Sequence, residues 1–303
     1  MVALLSAELV EKKGISSMKK VFLTFGDGGE NYVAARKRVA REARATGEFD
    51  EVLDYGLENA SEAARNSPLK DYKRGCGYWM WKPDVVDSVL SGLDDGDILV
   101  WSDCGNVIYR TSQWRKFFRK LDSVDLILKR ISSCALHFHR KEMLELFAPP
   151  GGGIAPLCRM CFHFESNSII MKKTPLSVQL IRDWKACMHQ HPECVKDALT
   201  QEELDNQLPS FRENRHDQSA LTMVVYKYLS DKNAAHKIAS VWEWHLGAWL
   251  WGQPAMWIAR NRGGNSCRIG FKARLVRMAY RVIWGMQTLL ERRGLQICWG
   301  KLK

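Results

Sequence analysis

The chain has 303 residues, of which 46% are hydrophobic and 26% charged, a globular composition that excludes a disordered or fibrous protein. This length suits one large α/β domain with an extension, or two small domains. The nine cysteines are odd in number and scattered, which favours free thiols in a reducing compartment over a secreted disulfide scaffold.

The formal net charge of +11 is concentrated at one end of the chain. Residues 256–303 contain eleven basic side chains and one acidic side chain, so this segment alone carries a charge of +10. The distribution predicts a nearly neutral body and a tail that contacts an anionic partner. Residues 1–17 lack the basic region of a signal peptide, and we expect a dispensable leader there.

The first predicted elements form a strand–helix–strand unit. Residues 20–25 and 49–55 predict strands, and residues 31–46 between them predict a basic helix. This order implies a parallel sheet. The glycine-rich turn at residues 26–29 is interpreted either as a surface loop or as a loop that contacts a nucleotide.

The most informative stretch covers residues 74–106, RGCGYWMWKPDVVDSVLSGLDDGDILVWSDCGN. Pro83 suits the first turn of a helix, because its missing N–H would be unpaired there in any case. The apolar residues after it recur at helical spacing: Val85, Val86, Val89, Leu90 and Leu93. Residues 98–101 then predict a strand buried on both faces. Asp103 and Gly105 follow this strand, at the position where open α/β sheets bind ligands.

The rest of the chain predicts further helices and strands. The predicted elements are helices at 57–71, 113–121 and 137–147, and strands at 124–128 and 164–171. A run of prolines and glycines at residues 149–153 predicts a loop. Thr174 is a favourable cap for a helix beginning at Pro175, and another helix is expected to begin at Asp217 or Ser219.

Three segments together resemble a known family: residues 77–83 (GYWMWKP), 96–106 (GDILVWSDCGN) and 216–219 (HDQS). Their order and spacing are similar to those of bacterial glycosyltransferases that build capsule and lipopolysaccharide glycans. The resemblance implies the GT-A fold, an α/β, Rossmann-like fold in which helices flank a mixed, mainly parallel sheet. It also implies a nucleotide-sugar donor, with a UDP-sugar favoured, and a glycan or lipid-linked glycan acceptor in cell-surface polysaccharide or lipopolysaccharide synthesis.

The resemblance covers about residues 19–228, and together with the composition of the two ends it predicts a domain organisation. A GT-A-like catalytic domain would occupy residues 18–240, after the leader at 1–17. A tryptophan-rich and basic, amphipathic helical extension would occupy residues 241–303.

Asp103 is the first candidate catalytic residue and the candidate metal ligand. A carboxylate there would hold Mn²⁺ or Mg²⁺, which offsets the charge of a nucleotide diphosphate. Many GT-A enzymes have Asp-x-Asp at this point, whereas Gly105 replaces the second carboxylate here. The alternative is an aspartate that only caps the strand end.

Asp217 is the second candidate catalytic residue. At the start of a helix its carboxylate would stay ionised, and it would act as a general base or support the sugar from the opposite face. The alternative is a helix cap. The residues expected to bind the nucleotide sugar are Thr24, Gly26, Arg74, Tyr78, Trp79, Trp81, Lys82, Ser102, Gly105, His216 and Gln218. Their alternative is a set of core tryptophans and solvated cations.

A cysteine and histidine pattern raises the question of a structural zinc site. Cys158 and Cys161 form one pair, and Cys187 and Cys194 flank two histidines. Four sulfurs would suit tetrahedral zinc, but a second Cys-x-x-Cys pair is missing. The sequence therefore favours buried free thiols over structural Zn²⁺.

The C-terminal segment predicts contact with a membrane surface. Residues 241–259 contain five of the twelve tryptophans but are interrupted by polar residues, which favours the membrane interface over a spanning helix. Residues 272–290 predict an amphipathic helix, with an apolar side (Leu275, Met278, Val282, Met286 and Leu289) opposite Arg274, Arg277 and Arg281. We therefore expect a cytoplasmic protein, peripheral on the inner face of an anionic membrane. The alternative is a helix packed on the catalytic domain.

Two other functions remain open at this stage. The basic, tryptophan-containing tail is compatible with a nucleic-acid-binding protein, although no nucleic-acid motif is present and no nucleic acid is expected as a partner. The incomplete Asp-x-Asp is compatible with a catalytically inactive sugar-binding relative.

Overall fold

The computed structural model describes residues 18–132, 135–154, 162–246, 253–261 and 263–266, together with short stretches between residues 270 and 286. The predicted leader at 1–17 lies outside the described residues. So do Cys158, Cys161 and the part of the predicted tail helix beyond residue 286.

A six-stranded sheet in the order β2-β1-β3-β6-β5-β7 forms the centre of the molecule. Its strands are β1 (Lys20–Phe25), β2 (Glu51–Tyr55), β3 (Ile98–Asp103), β5 (Leu126–Ser132), β6 (Phe162–Lys172) and β7 (Ile238–Val241). β1 is parallel to β2 and β3, β5 is parallel to β7, and β6 is antiparallel to both β3 and β5. The predicted α/β class with a mixed, mainly parallel sheet flanked by helices is confirmed.

Helices cover both faces of this sheet. They are α1 (Glu30–Thr46), α2 (Glu62–Arg65), α3 (Gly75–Tyr78), α4 (Trp81–Gly92), α5 (Gln113–Lys120), α6 (Ala135–Phe138), α7 (Lys141–Leu146), α8 (Pro175–Gln190), α9 (Pro192–Val195), α10 (Gln201–Asp205), α11 (Asp217–Ser230) and α12 (Lys232–Ala235). On one face, α4, α8 and α11 pack against a core that includes Leu99, Trp101 and Trp184. On the other face, α1 and α5 enclose Val39 and Trp114.

A second, two-stranded sheet joins β4 (Asn106–Ile108) to β8 (Met256–Ile258) in antiparallel pairing. Ala255 and Met256 are at most 1% exposed and belong to the same core as α1 and α5. The chain after residue 253 therefore returns to the strand that follows Asp103.

Two predicted helices are wrong in extent. The stretch predicted as helix at 57–71 contains only a 3₁₀ turn, Leu57–Asn59, and α2. Pro68 disfavours helical conformation in the residue before it, which explains the early end. The helix predicted at 137–147 is divided into α6 and α7, because the backbone at Arg140 is extended.

Candidate active site

One buried lysine joins three segments that are far apart in the chain. Lys82 is 2% exposed, and its Nζ lies 2.6 Å from Asp217 Oδ2 and 3.2 Å from Asp103 Oδ1. Lys82 lies in the first turn of α4, Asp103 ends β3, and Asp217 begins α11. The three segments that carry the family resemblance therefore meet at a single point.

The ammonium group of Lys82 interacts electrostatically with the carboxylates of Asp103 and Asp217. Burial alone would lower the pKa of Lys82, but the carboxylates of Asp103 and Asp217 outweigh burial and raise that pKa above its ordinary value. Burial raises the pKa of Asp103, an effect that Lys82 opposes and Asp217 reinforces. The side chain of Asp103 is 28% exposed and that of Asp217 is 7% exposed, so Asp103 is the more accessible of the two carboxylates.

The segment before Lys82 forms a strained left-handed turn. Residues 75–79 all have φ between 49° and 83°, and two of their N–H groups donate to carbonyls four residues earlier at 2.8 and 3.0 Å. This conformation costs roughly 1–2 kcal/mol for each residue other than glycine. Gly77 has no room for a side chain, because an added Cβ would lie 2.9 Å from Leu69 O. Such strain is concentrated at functional sites in proteins.

A second strained residue, His216, stands directly before α11. Its φ is 53° and its ψ is −120°. The imidazole lies 5.4 Å from the ring of Trp79 and 5.0 Å from that of Tyr78, measured between centroids. Burial lowers the pKa of His216, so the ring is neutral at pH 7. The strained segments that supply Lys82 and Asp217 therefore contact each other.

Asp197 holds these two segments together. Its Oδ2 accepts hydrogen bonds from Arg74 Nη1 at 2.9 Å and from the Tyr78 hydroxyl at 3.1 Å, and its Oδ1 lies 3.6 Å from His216 Nε2. Tyr78 is only 2% exposed, and its hydroxyl group supports the loop through Asp197. Arg74 is 52% exposed and stays at the rim of the site.

Arg38 fastens the turn after Asp103 to α1. The side chain is fully buried, and its guanidinium donates to the Cys104 carbonyl at 2.9 Å. It also donates to the carbonyls of Asn261 and Gly263 at 3.0 and 2.9 Å. The Asn261 N–H donates in turn to the Gly105 carbonyl at 2.9 Å. Asn261 and Gly263 are therefore held against the candidate catalytic turn.

Two of the predicted ligand residues lie beneath the site. Trp81 is 6% exposed and stacks on Phe25 at a centroid distance of 3.8 Å. Ser102 is fully buried, and its Oγ accepts a hydrogen bond from Asn106 Nδ2 at 3.0 Å. Both residues pack in the interior, and their predicted contact with a nucleotide sugar stays a prediction.

The remaining predicted ligands lie at the ends of β1 and β3 and at the start of α11. Thr24 is fully buried, and its Oγ1 has no hydrogen-bond partner in the described part of the chain. Gly26 packs tightly on α1, since an added Cβ would lie 2.6 Å from Tyr32 O. Gly105 lies against the backbone of Arg260. Gln218 follows Asp217, and no described residue pairs with its Nε2.

Only part of the zinc pattern lies in α8 and α9, because Cys158 and Cys161 are outside the described residues. Cys187 and Cys194 are free and buried, and burial raises the pKa of Cys187 to about 12. His189 Nε2 pairs with the buried carboxylate of Asp84. Across the described ranges, no group of three histidine, cysteine or acidic side chains is placed to hold a metal ion.

Sequence reasoning missed Arg38, Asp197 and Glu165. The signal for Arg38 was a basic residue directly before inward-facing Val39 and Ala40 of α1. Asp197 stands in an irregular polar region, where no pattern distinguishes it from its neighbours. Glu165 lies in a strand whose alternation is broken, as described below.

The C-terminal segment is partly core. Trp244 is 1% exposed, and its Nε1 donates to Ser168 Oγ at 2.8 Å, so it does not lie at a membrane interface as predicted. No helix among the described residues is long and apolar enough to cross a membrane. Beyond residue 270, several described apolar side chains are exposed: Phe271, Leu275, Val276, Val282 and Met286.

The sequence matches no protein-family model and no curated protein. Among solved structures, the chain is similar to a glycosyltransferase involved in glycosylation of the major capsid of PBCV-1, with 10% identity over 74% of this chain and 81% of that chain, at a TM-score of 0.36. It is similar to mouse xyloside xylosyltransferase 1, with 11% identity over 74% and 84% of the two chains, at a TM-score of 0.35. For the galactosyltransferase LgtC in complex with donor and acceptor sugar analogues, identity is 14%, coverage is 74% and 73%, and the TM-score is 0.30. Similarities at this level define no residue role in this chain.

Proposed function

We propose that the protein is a glycosyltransferase of the GT-A type, which transfers a sugar from a nucleotide-sugar donor, with a UDP-sugar favoured, to a glycan acceptor. The observation that carries the proposal is the meeting of Lys82, Asp103 and Asp217 at the carboxyl end of β3. Ligands bind at this edge of open α/β sheets. The strained backbone shortly before Lys82 and directly before Asp217 supports the same assignment.

Lys82 is suited to stabilise the leaving group. Cleavage of the sugar–phosphate bond increases the negative charge on the nucleotide diphosphate. A cation that is fixed before the reaction stabilises such charge without reorganisation. Lys82 is fixed in this way, because two carboxylates hold its ammonium group at 2.6 and 3.2 Å.

Asp103 fits a divalent cation as a single protein ligand. Its side chain is 28% exposed, its Oδ1 is buried 3.2 Å from Lys82 Nζ, and its Oδ2 accepts a hydrogen bond from Lys82 Nζ at 3.3 Å. An ionised carboxylate oxygen that accepts one hydrogen bond still has a lone pair for a metal ion. Mg²⁺ is commonly held by one or two carboxylates, with phosphate oxygens and waters completing its shell. We propose that Asp103 holds Mn²⁺ or Mg²⁺, which when bound offsets the charge of the diphosphate. Lys82 supplies further positive charge beside Asp103, at 3.2 Å from Oδ1.

Asp217 is assigned to the sugar side of the reaction. It begins α11, where the helix dipole favours an ionised carboxylate. From this position it either accepts the proton of the acceptor hydroxyl or supports the sugar from the opposite face. Trp79, His216 and Gln218 border the same space and are proposed to contact the donor, and Thr24 and Gly26 lie on its β1 side.

A panel of nucleotide sugars tests the proposal. UDP-glucose, UDP-galactose, UDP-N-acetylglucosamine and GDP-mannose are added with and without Mn²⁺, and both the melting temperature and the release of nucleotide are measured. A ligand at about 100 times its dissociation constant stabilises the folded state by about 2.7 kcal/mol. We expect one UDP-sugar to raise the melting temperature most, to do so more strongly with Mn²⁺, and to be turned over.

Other outcomes of the panel favour the alternatives. Stabilisation by a nucleotide sugar without any turnover would favour an inactive sugar-binding relative. No stabilisation by any donor, together with salt-sensitive binding of single-stranded RNA, would favour a nucleic-acid-binding protein.

We also propose that the enzyme acts in cell-surface polysaccharide or lipopolysaccharide synthesis, on the inner face of a membrane. Two observations support this location. Residues 256–303 carry a net charge of +10, and apolar side chains of the predicted amphipathic segment are exposed. Anionic lipid complements both features, because basic residues add on the order of 1 kcal/mol each near its surface. A lipid-linked glycan would then be within reach of the active site.

Three exposed apolar residues test the membrane proposal. Leu275, Val282 and Met286 are 42%, 63% and 51% exposed. We expect the wild-type protein to sediment with phosphatidylglycerol vesicles at low salt and partly to dissociate as salt rises. The triple variant Leu275→Ser, Val282→Ser and Met286→Ser should lose most of this binding and keep the wild-type melting temperature.

The matched control replaces exposed leucines elsewhere. Leu199 and Leu204 are 55% and 46% exposed and lie outside the basic tail. The variant Leu199→Ser, Leu204→Ser should sediment like wild type. A lower melting temperature in the triple variant, with no vesicle binding by wild type, would show that the tail packs on the protein itself.

A further inference from the structure

Strand β6 is irregular beside the candidate catalytic turn. Leu128 of β5 pairs with Ile169 of β6, and Arg130 pairs with Phe164. Two steps along β5 therefore correspond to five steps along β6, and on the β5 side residues 165–168 lie opposite Lys129. Such bulges redirect side chains and are common next to active sites.

The bulge is fixed to the turn that carries Asp103. Trp101 Nε1, on β3, donates to the Ser166 carbonyl at 2.9 Å. Asn106 Nδ2, directly after the turn, donates to the Asn167 carbonyl at 2.9 Å. The two donors flank Asp103 in the sequence, and both bind carbonyl groups of the bulge. They therefore fix the position of Glu165, the first residue of the bulge, relative to Asp103.

Glu165 is a further carboxylate near the active site, in addition to Asp103 and Asp217. Its Oε2 lies 2.7 Å from Lys129 Nζ, and the two side chains are 12% and 13% exposed. Its charge is close enough to Asp103 to contribute to the raised pKa of that residue, after burial and Asp217. Lys129 fixes one oxygen, and an ionised carboxylate has further lone pairs for a ligand.

The strand order indicates which ligand Glu165 meets. β3 lies between β1 and β6, so Asp103 separates the end of β1, where the donor is proposed to bind, from Glu165. A nucleotide diphosphate is anionic and would be repelled by a carboxylate at close range. A neutral sugar offers hydroxyl donors, which a carboxylate binds well.

We propose that Glu165, held in place by Lys129, binds a hydroxyl group of the acceptor glycan. This inference rests on the proposed glycosyltransferase function and specifies the side of the site from which the acceptor binds. The acceptor approaches from the β6 side of Asp103, opposite the β1 side.

Separate acceptor and donor kinetics test the proposal. The donor that the nucleotide-sugar panel selects is used with p-nitrophenyl glycosides as acceptors, and donor hydrolysis is measured without acceptor. Glu165→Gln should raise the acceptor KM by at least about tenfold, the scale of one hydrogen bond to a charged group. Donor KM and the rate of donor hydrolysis should stay within about twofold of wild type, because the donor contacts are unchanged.

A second variant and a control keep the result interpretable. Glu165→Asp keeps the charge but shortens the side chain, and should give an intermediate acceptor KM. Glu51→Gln removes the Lys19–Glu51 ion pair, which has the same length of 2.7 Å but lies outside the site, and should change no kinetic constant. If Glu165→Gln does not fold, the acceptor KM of Glu165→Asp tests the assignment of Glu165 instead.

The outcomes separate this inference from the function on which it rests. If wild type turns over no donor in the panel, the proposed function fails and the acceptor role fails with it. If wild type is active and the folded Glu165 variants keep the wild-type acceptor KM, only the Glu165 assignment is overturned. Equal increases in donor and acceptor KM would also overturn it, because Glu165 would then serve only to support the Asp103 turn.

Discussion

Replacing Lys82 by methionine is expected to destabilise the protein and to abolish turnover. The substitution leaves the carboxylates of Asp103 and Asp217 close together without the cation that lies 3.2 and 2.6 Å from them. Removing one partner of a buried ion pair typically costs about 3–5 kcal/mol. Chemical denaturation of Lys82→Met against wild type at neutral pH measures this loss.

The loss should depend on pH in a direction that follows from the Asp103 pKa. Burial already raises that pKa, and Lys82 is the main group that opposes the rise. Without Lys82, the folded state holds a proton on Asp103 over a range above the unfolded pKa of about 3.9. The folded state then binds more protons than the unfolded state, so stability falls as pH rises through that range. The deficit of Lys82→Met relative to wild type should therefore be smaller near about pH 5 than near about pH 8.

Lys19→Met is the matched control for Lys82→Met. Lys19 also pairs with a carboxylate, Glu51, at 2.7 Å, but the two side chains are 47% and 42% exposed. Exposed pairs contribute up to about 1 kcal/mol, so this variant should lose little stability and keep its activity. Equal, small losses in both variants would show that the Lys82 centre is hydrated and not functionally special.

The elements that the sequence predicts well are those with local causes. β1 was predicted with its observed bounds, because Lys20–Phe25 is an apolar run between polar residues. α8 begins at Pro175 as expected, since Thr174 forms a capping box with Ser177. Hydrophobic periodicity and capping act over a few residues, so they can be recognised without knowledge of the fold.

The features that escaped prediction depend on contacts between distant segments. The left-handed turn at residues 75–79 is stabilised by Asp197, more than a hundred residues away. Arg38 is buried because carbonyls at Cys104 and Asn261 accept its hydrogen bonds. The bulge at Glu165 follows from pairing with β5, which no single segment encodes.

The site lies between these two cases. Asp103 and Asp217 were predicted as site residues mainly from the family resemblance, and their places at the end of β3 and the start of α11 were predicted from local patterns. Lys82 was predicted as a ligand of the diphosphate, but its place between both carboxylates arises from the packing of α4 and α11 on the sheet. Trp81 precedes Lys82 in the same motif but packs in the core against Phe25. Adjacent residues of a helix point in different directions, so one motif can supply both core and site residues.

Asp103→Asn is expected to reduce turnover by at least about a hundredfold, the scale of losing a key electrostatic group. The asparagine has the same shape and still offers an oxygen to Lys82 Nζ, and Asp217 remains as the counter-charge of that lysine. The fold and the melting temperature should therefore change little. The residue loses its negative charge, and with it the proposed ligand for Mn²⁺ or Mg²⁺, so the stabilisation by Mn²⁺ in the presence of the donor should also disappear.

Asp97→Asn provides the matched control for Asp103→Asn, because it makes the same chemical change just before the opposite end of β3. Asp97 accepts hydrogen bonds from the backbone N–H groups of Lys19 at 2.8 Å and Asp94 at 3.1 Å, far from the candidate site. Its asparagine variant should lose some stability, since one amide nitrogen cannot accept a hydrogen bond, and should keep its turnover per folded molecule. If Asp103→Asn is folded and turns over donor at the wild-type rate, Asp103 is a strand-end cap and the metal assignment falls. If Asp103→Asn alone loses turnover and the Mn²⁺ response, the charge of that one carboxylate accounts for both effects.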